Sequence, residues 1–313
     1  KPGQAVRIMT GAPIPEGADA VIMQEDTERD GNRVQVKDKA EIRENIRDAG
    51  EDVREGETVI KKGADLLPAH IGMMAVVGRS SVLVGRRPSV AILSTGDEIM
   101  DLDDSLSGPC IYNSNGYMLA AQIKSAGGIP SYLGIARDNE EDLMEKFKWA
   151  LQCDMVVSSG GVSVGDYDLV KASLKKMGQE MLFWKVAMKP GKPLAFGRID
   201  NVPIFGLPGN PVSSFVSFEQ FVRPSIRKMM GATQLNHRSV QAKLTRTVHK
   251  KAGRQHFLSA YVQWENGECT VNPTQEQGSG ILKSTVNANG LLIFPLELTE
   301  MTEGTEVTVQ LLE

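Results

Sequence analysis

The chain has few of the residues that build disulfide or metal frameworks. Its three cysteines (Cys110, Cys153 and Cys269) lie far apart in 313 residues, and no pair has CxxC spacing. We therefore expect neither a disulfide framework nor a zinc site, and this cysteine usage fits a reducing cytoplasm. The four histidines are equally scattered, which argues against a histidine-rich metal site. No apolar run is long enough to span a membrane, and no signal peptide is visible. A net charge of −4 gives no general attraction to nucleic acid or acidic membranes.

Apolar patterning predicts four parts in this chain. Residues 1–55 carry short β-prone runs at Ala5–Met9, Ala20–Gln24 and Val34–Val36, which predict part of a β-rich domain. Residues 56–87 form a connector with one helix between Pro68 and Gly78. Residues 88–233 alternate between strands and helices, and residues 234–313 show short alternating segments typical of a small barrel or sandwich. Because the chain begins abruptly at Lys1, we expect it to be a piece of a longer protein.

The central part predicts a three-layer α/β domain, in which a largely parallel sheet is covered by helices on both faces. The predicted strands are 90–93, 131–135, 155–158, 182–186, 194–196 and 203–205. Four helices are predicted in this part. The first begins after Asn113 or Ser114, and the second presents the apolar face Leu143, Phe147, Ala150 and Leu151. The third runs to Met177, and the fourth extends from Pro211 to about Met230 with Asn210 as its N-cap.

A glycine- and serine-rich stretch follows the strand at Met155–Ser158. Residues 158–168 contain three glycines, three serines and two aspartates, among them Ser159, Gly160, Gly161, Ser163, Gly165, Asp166 and Asp168. Glycines let backbone N–H groups approach a ligand closely, and the N-terminus of the following helix favours anions. An ordinary turn between strand and helix would also use glycine. The two aspartates favour an anion site with a bridging metal ion.

Carboxylates from three loops are predicted to gather at one edge of the sheet. Ligands of open α/β sheets bind beyond the carboxyl ends of the strands, and this rule collects residues 94–98, 138, 159–168 and 208–211. The carboxylates among them are Asp97, Glu98, Asp138, Asp166 and Asp168. They would repel one another unless a divalent cation lay between them. Asp138 and Asp168 could instead cap helices, so both interpretations stay open for any single carboxylate, while the set favours a metal-assisted anion site.

Three lysines are concentrated in the stretch Trp184–Pro193, at Lys185, Lys189 and Lys192. Two prolines and a glycine fix the backbone around them. Lysines held on such a turn are suited to present point charges to a phosphate or a metal oxyanion, although isolated surface lysines are usually solvated and inert. No GxSxG elbow is present, and the spacing around Gly191–Leu194 differs from that of a P-loop. A covalent hydrolase and a standard NTPase are therefore disfavoured.

Six segments, in this order, resemble the molybdopterin molybdenumtransferases, the MoeA proteins of bacteria and the equivalent domain of gephyrin-type proteins. They are Ile8–Gly17 (IMTGAPIPEG), Ala20–Glu25 (AVIMQE), Leu93–Glu98 (LSTGDE), Ser158–Asp168 (SSGGVSVGDYD), Val186–Pro193 (VAMKPGKP) and Gly206–Ser213 (GLPGNPVS). The third and fourth also resemble single-domain molybdopterin-binding proteins, whereas MKPGKP followed by GLPGNP and a β domain is more discriminating. The resemblance implies that residues 56–87 belong to an elongated helical domain and that residues 234–313 form a β-barrel.

The family resemblance implies insertion of molybdate into adenylylated molybdopterin, with Mg²⁺, to yield molybdenum cofactor and AMP. Glu98, Asp138 and Asp168 would be acidic active-site residues and, with Asp97, candidates for the metal. Lys185, Lys189 and Lys192 would face phosphate and molybdate. The implied contacts to molybdopterin, phosphate or molybdate are Thr95, Gly96, Asp97, Ser159, Gly160, Gly161, Ser163, Gly165, Asp166, Pro208, Gly209, Asn210, Ser213, Arg254 and Ser279. Thr10 and Asp52 match polar residues that the β-rich domain contributes across the interface of an expected cytoplasmic homodimer, which could also contact the molybdopterin adenylyltransferase.

Two other functions remain as alternatives to the transferase. A molybdopterin adenylyltransferase resembles the central part alone, and the lysine stretch and the C-terminal β domain argue against it. A gephyrin-like scaffold would need a partner-binding groove, which nothing in the sequence specifies. If every motif were only a turn, the clustered carboxylates and lysines would have no cause.

Overall fold

A computed structural model describes residues 3–106, 108–160 and 167–312, without the side chains of residues 167–169 and 171. The chain divides into two compact units, Lys1–Lys61 and Lys62–Glu313. In the first unit, strands β1 (Thr27–Asp30) and β2 (Arg33–Val36) form an antiparallel hairpin, preceded by a short 3₁₀ turn at Gln24–Asp26. The β structure predicted for Val34–Val36 is therefore confirmed.

The strands predicted at Ala5–Met9 and Ala20–Gln24 are wrong, since neither segment forms a ladder in the described part of the chain. Val21 shows the reason. Its N–H donates to Glu44 O at 2.9 Å, and its carbonyl accepts from Asn45 Nδ2 at 2.8 Å. These partners belong to an irregular segment rather than to a neighbouring strand, so the β-prone residues have no ladder to join.

The second unit holds the remaining helices and strands of the described residues. Helices α1 to α7 are Pro68–Val76, Ser114–Ser125, Glu140–Ala150, Tyr167–Lys176, Pro211–Ser217, Arg223–Met229 and Lys283–Val286, with a π-helical turn at Phe218–Val222 between α5 and α6. Strands β3 to β18 are Ser89–Thr95, Ile99–Met100, Ile111–Tyr112, Ile129–Ala136, Met155–Ser159, Glu180–Trp184, Met188–Lys189, Ala195–Ile199, Val202–Leu207, Ser239–Leu244, Val248–His249, Gln255–Glu265, Glu268–Pro273, Gly290–Phe294, Glu300–Met301 and Glu306–Leu311. Among the described residues, no helix has the length and apolar composition needed to cross a bilayer.

The central sheet has six strands in the order β6-β3-β7-β11-β10-β8. Its first four strands are parallel, and β10 and β8 extend it in antiparallel fashion. Ala195, at the start of β10, pairs with both Gly206 of β11 and Trp184 of β8. The carboxyl end of β8 therefore lies at the same edge as the carboxyl ends of the four parallel strands. We call this the carboxyl edge; its strands end at Ala136, Thr95, Ser159, Leu207 and Trp184.

Alternation along the central strands builds one core on each face of the sheet. Val90 and Ile92 of β3 pack with Leu119 and Ile123 of α2 and with residues of the α5–α6 region, while Ala91 and Leu93 pack with α3 and α4. Successive side chains of a strand point to opposite faces, so a fully apolar strand such as 90–93 is buried between two helical layers. The predicted three-layer α/β domain is confirmed.

The C-terminal strands close into a five-stranded barrel in the order β15-β12-β18-β16-β14, with β14 pairing back to β15. Its interior contains Val262, Val271, Leu292, Phe294 and Val309, all nearly or fully buried. The predicted C-terminal β-barrel is confirmed. Strand β9, which lies in the lysine stretch of the central domain, adds to β14 in parallel, so the barrel and the central domain share a sheet.

Candidate functional site

The carboxyl edge brings together loops that are distant in sequence. In strand order, it carries Asp138 after β6, Asp97 after β3, Ser159 and Gly160 at β7, the 208–210 turn after β11, and the lysine segment (residues 185–192) after β8. Neighbouring strands lie about 4.8 Å apart, so the end of β3 and the lysine segment are separated by three to four spacings, roughly 14–19 Å. The site is therefore a row with carboxylates at one end and ammonium groups at the other.

The acidic end is organised by two reciprocal hydrogen bonds. The N–H of Asp138 donates to Asp97 Oδ1 at 3.1 Å, and the N–H of Asp97 donates to Asp138 Oδ2 at 3.4 Å. Arg137 Nη1 donates to the carbonyls of Asp97 and Ile99 and closes the turn. The N-cap of α3 is Asn139, which accepts from the N–H of Asp142. Asp138 thus does not cap that helix, and its carboxylate lies exposed beside that of Asp97.

Glycine is required twice in this row, at Gly160 because the backbone approaches another loop closely and at Gly96 because of its positive φ. Gly160 has a φ of +89°, and a Cβ there would lie 2.7 Å from Thr95 O and 3.0 Å from Thr95 Oγ1. Gly96 has a φ of +136°, and a Cβ there would meet the carboxylate of Glu98 at 2.5 Å. Thr95 Oγ1 is buried without a hydrogen-bond partner among the described residues. The loops after β3 and β7 are therefore pressed together at the centre of the row.

Asn115 is a residue of this centre that the sequence analysis did not select. Its side chain is 8% exposed, and Nδ2 donates to Ser159 Oγ at 2.8 Å and to Gly209 O at 2.7 Å. One amide therefore links the N-terminus of α2 to the loops after β7 and β11. The run Asn113-Ser114-Asn115 was recognised only as a helix start, which is the role of Asn113, since that side chain accepts from the N–H of Gly116.

The 208–213 segment joins the row to the barrel. Asn210 occupies the N-cap position of α5 as predicted, but its side chain makes no capping hydrogen bond. Instead, Asn210 Nδ2 donates to Ser279 Oγ at 3.1 Å, and the N–H of Val212 donates to Ser279 O at 3.0 Å. Ser213 follows, 5% exposed, in the first turn of α5, and Pro208 is buried before it. Asn210, Ser213 and Ser279, which were selected from two domains, thus lie in one place.

The lysine segment is held by its backbone while its charged groups stay exposed. The N–H of Lys185 donates to Leu194 O and that of Val186 donates to Lys192 O, both at 3.0 Å. Lys185, Lys189 and Lys192 are all exposed, and within the described part of the chain none of them forms an ion pair with a carboxylate. Unpaired charges on a fixed backbone are suited to bind an anion with little reorganisation.

Arg254 is a second positive group near Lys189, because β9 pairs with β14. In that pairing Lys189 lies opposite His256, two residues after Arg254. Burial, together with the positive charges of Lys189, Lys250 and Arg254, lowers the pKa of His256 to about 4. The imidazole, 8% exposed and edge-on to Phe294, is therefore neutral at physiological pH within a strongly positive environment. The sequence analysis dismissed this histidine because it lies far from the others along the chain.

Several predicted site residues cannot be placed in this row. Gly161, Ser163, Gly165 and Asp166 lie outside the described residues, and Asp168 is described only as a backbone position of α4. Thr10 and Asp52 are exposed residues of the first unit. Among the side chains that the structure describes, no three histidine, cysteine or carboxylate groups lie close enough to hold a metal ion. The donors at the acidic end are nevertheless carboxylate oxygens, which are the ligands that Mg²⁺ prefers.

Family models match nearly the whole chain in order. They are "MoeA N-terminal region (domain I and II)" over residues 1–78, "Probable molybdopterin binding domain" over residues 91–228 and "MoeA C-terminal region (domain IV)" over residues 241–312. A molybdopterin molybdenumtransferase of Haemophilus influenzae is 39% identical over 98% of this chain and 76% of its own length. The chain belongs to the molybdopterin molybdenumtransferase family. It is a transferase of molybdenum cofactor biosynthesis.

Other relatives and a solved structure agree with this membership. A Bacillus subtilis molybdopterin molybdenumtransferase is 37% identical over 94% of this chain and 70% of the relative. A Mycobacterium tuberculosis relative, molybdopterin molybdenumtransferase 2, is 36% identical over 99% of this chain and 77% of its own length. The molybdopterin biosynthesis MoeA protein of Pyrococcus horikoshii superposes with a TM-score of 0.82 at 32% identity, covering 99% of this chain and 76% of that one. The family resemblance drawn from the sequence motifs is confirmed.

Proposed function

We propose that this molybdopterin molybdenumtransferase takes adenylylated molybdopterin and molybdate and, with Mg²⁺, yields molybdenum cofactor and AMP. The observation that carries the proposal is the row itself, in which exposed carboxylates, a glycine–serine turn and unpaired cations follow one another along a single sheet edge. In that order, the carboxylates suit a metal cation, the turn suits a phosphate and the lysines suit an oxyanion. An extended substrate can lie along the row, since the two ends of the row differ in charge.

Phosphate and pterin groups are assigned to the centre of the row. Thr95, Gly96, Ser159, Gly160 and Gly209 offer backbone and hydroxyl groups there, where Gly160 lets two loops approach closely. Helices α2, α3, α4 and α5 begin near this edge, and the N-terminus of a helix favours negative charge. Gly161, Ser163, Gly165 and Asp166 would extend the same cradle.

Molybdate is assigned to the basic end, where the lysine segment meets the barrel. Molybdate is a tetrahedral dianion, and charge-assisted hydrogen bonds from lysine and arginine suit it. Lys189 and Arg254 provide such charges on either side of the β9–β14 pairing, and Ser213 and Ser279 add hydroxyl donors beside Asn210. Lys185 and Lys192 would hold the neighbouring phosphate. These groups would neutralise the oxyanion while the two dithiolene sulfurs of molybdopterin replace an oxo ligand, which would leave as water with the two thiol protons.

Mg²⁺ is assigned to the acidic end, with Asp97 and Asp138 as ligands and Glu98 and Asp168 as further candidates. Each described aspartate donates its N–H to the carboxylate of the other, which fixes the pair and leaves carboxylate oxygens exposed. A cation held there would neutralise charge on the phosphoanhydride whose cleavage releases AMP. The cation and the molybdate would therefore share no ligands, since the molybdate groups lie beyond β11 and β8, at least two strand spacings or about 10 Å from β3.

We further propose that the enzyme acts in the cytoplasm as a homodimer that can receive its substrate from the molybdopterin adenylyltransferase. Thr10 and Asp52 would then contribute to the site of the partner subunit. Sedimentation of the full-length protein would test the dimer, and Thr10→Ala and Asp52→Asn would test those two roles by their effect on turnover. A monomer with full activity would contradict both.

AMP release from adenylylated molybdopterin is the test of the reaction. We expect release that requires both molybdate and Mg²⁺, with formation of a cofactor that activates an apo-molybdoenzyme. Pyrophosphate release from ATP and molybdopterin would instead identify an adenylyltransferase. A folded protein that binds molybdopterin but releases no AMP under any of these conditions would contradict a catalytic function.

A further inference from the structure

The amide of Asn115 has a defined orientation, and this orientation determines what its neighbours can do. Amide nitrogen and oxygen are distinguished by their hydrogen-bond partners. Gly209 O, a carbonyl that can only accept, lies 2.7 Å from the Asn115 amide, so the atom facing it must be Nδ2. The same nitrogen lies 2.8 Å from Ser159 Oγ. Asn115 therefore donates to Ser159, and its two N–H groups are both used.

The hydroxyl of Ser159 accepts from Asn115, so its own proton must point elsewhere. Ser159 is 4% exposed and lies at the carboxyl end of β7, where the glycine–serine loop begins. Among the described residues, Ser159 Oγ donates to no acceptor. A hydroxyl held as an acceptor on one side is a donor on the other. A phosphate oxygen, which is only an acceptor, would receive that proton.

We propose that Asn115 is a positioning residue that sets the Ser159 hydroxyl as a hydrogen-bond donor to the phosphate end of the substrate. This inference rests on the proposed function, since it takes the anion at the centre of the row to be a phosphate of adenylylated molybdopterin. The second Asn115 bond, to Gly209 O, holds the β11 loop against the same hydroxyl. Asn115 thereby acts on substrate binding through Ser159.

Gln122 offers a matched control on the same helix. It is 7% exposed, and its Nε2 donates to one side chain, Glu219 Oε1 at 2.5 Å, and to one carbonyl, Phe215 O at 3.3 Å. The oxygens of both amides are buried without a partner among the described residues. The two side chains therefore match in burial and in hydrogen bonding, and they differ in whether their donors reach the row.

The experiment compares Asn115→Ala, Gln122→Ala, Asn115→Asp and Ser159→Ala in the full-length enzyme. Readouts are the melting temperature, molybdopterin binding by calorimetry, and KM and kcat for each substrate. We expect Gln122→Ala to lose at least as much stability as Asn115→Ala, since each loses two hydrogen bonds and one of the Gln122 bonds goes to the Glu219 carboxylate. Only Asn115→Ala should raise the KM for adenylylated molybdopterin, by about tenfold or more, as expected when a hydrogen bond to a charged group is lost.

Asn115→Asp tests the direction of the hydrogen bond to Ser159, because a carboxylate can only accept hydrogen bonds. It would take the Ser159 proton for itself and reverse the hydrogen bond, so the hydroxyl could no longer donate to phosphate. We expect Asn115→Asp to raise the same KM at least as much as Ser159→Ala, since it also loses the hydrogen bond to Gly209 O, and the double variant to be no worse than Asn115→Asp alone. In Ser159→Ala the KM for molybdate should stay within about twofold of wild type, since this substitution leaves the Asn115–Gly209 and Asn210–Ser279 hydrogen bonds in place.

Three results would overturn the inference. They are equal effects of Asn115→Ala and Gln122→Ala on substrate binding, additive effects of Asn115→Asp and Ser159→Ala, and equal shifts in both KM values. If the Asn115 variants do not fold, Ser159→Ala alone decides, and an unchanged KM for adenylylated molybdopterin would contradict the assignment. A wild-type enzyme that binds molybdopterin but releases no AMP would contradict the proposed reaction instead, while the binding comparison would still judge Asn115.

Discussion

The two ends of the row achieve opposite charge in different ways. At the acidic end, Asp97 and Asp138 fix each other by exchanging N–H···carboxylate hydrogen bonds between two neighbouring turns. At the basic end, the backbone of the lysine segment is fixed by strand pairing to the barrel, while the lysine side chains stay exposed and unpaired with any described carboxylate. The acidic end therefore belongs to the central domain alone, whereas the basic end exists only where two domains meet.

This difference predicts that a substitution at one end of the row impairs the ligand bound at that end and spares the ligand bound at the other. Changes at Lys189 should affect molybdate, since this cation has no carboxylate partner among the described residues. Changes at the acidic end should affect the Mg²⁺ requirement. A substitution at either end that altered both requirements equally would show that the two groups of residues serve one compact site rather than a row.

Lys189→Ala is expected to have the largest effect. Removing one preorganised donor to a developing or bound oxyanion costs about 100- to 1,000-fold in kcat. The exposed Lys243, which pairs with Glu268 on the barrel, provides a control, because Lys243→Ala removes a lysine that already has a carboxylate partner. We expect AMP release to collapse in the first variant and to stay near wild type in the second. Equal activities would remove Lys189 from the site.

Asp138→Asn should have a smaller effect, confined to the metal. An asparagine oxygen can still accept from the N–H of Asp97, so the turn is preserved while the negative charge is lost. We expect the Mg²⁺ concentration for half-maximal AMP release to rise by about tenfold or more, as for a weakened metal site. Titrating Mg²⁺ at saturating molybdate measures this. An unchanged Mg²⁺ requirement would mean that the cation binds elsewhere.

How much of this could be predicted from the sequence depends on the kind of interaction. The buried strands were predictable because apolar runs such as 90–93 fit only a two-sided core, and the carboxyl-edge rule then placed Asp97, Asp138 and Ser159 together. The strand predictions at Ala5–Met9 and Ala20–Gln24 failed because β propensity does not supply a pairing partner. Asn115 and the Asn210–Ser279 bond were not predictable, since each depends on where one amide points after the chain has folded.

The pKa of His256 tests the assignment of molybdate to the basic end without removing a charge. Its pKa of about 4 lies below the ordinary value because of burial and the surrounding cations. An oxyanion bound between Lys189 and Arg254 would offset those charges, so molybdate should raise the pKa of His256. Following the imidazole resonances by NMR from pH 7 downward, with and without molybdate, measures the shift. No change on saturation would mean that the anion binds away from the β9–β14 pairing.

The same histidine should also contribute to the pH dependence of folding. A histidine whose pKa is about 4 when folded and about 6.5 when unfolded binds more protons in the unfolded state between those values. Stability should therefore fall as pH is lowered through that window, and His256→Asn should flatten the slope. Denaturant unfolding at a series of pH values measures it. A slope identical to that of wild type would contradict the buried neutral imidazole.

Asp154 should have the smallest effect on activity, because it is a carboxylate at the opposite edge of the sheet. It accepts from the N–H of Ser89 at 2.8 Å, from Ser89 Oγ at 2.9 Å and from Arg86 Nη1 at 2.7 Å, and it joins the start of β3 to the start of β7. The hydrogen bond from Arg86, reinforced by those from Ser89, lowers the pKa of Asp154 below its ordinary value. This aspartate is half-buried, whereas Asp97 and Asp138 are exposed.

Asp154→Asn is therefore expected to lower the free energy of unfolding by about 1–2 kcal/mol and to leave both KM values unchanged. A depressed carboxyl pKa contributes stability above the unfolded value of about 3.9, and this contribution is lost as pH falls toward the folded value. The variant should thus differ from wild type at pH 7 and converge on it in acid. If Asp154→Asn instead changed the Mg²⁺ requirement, the two sheet edges would be coupled, and the assignment of binding to the carboxyl edge alone would be wrong. The distinction between the edges is physical, since Asp154 is half-buried and accepts from four donor groups, whereas Asp97 and Asp138 are exposed.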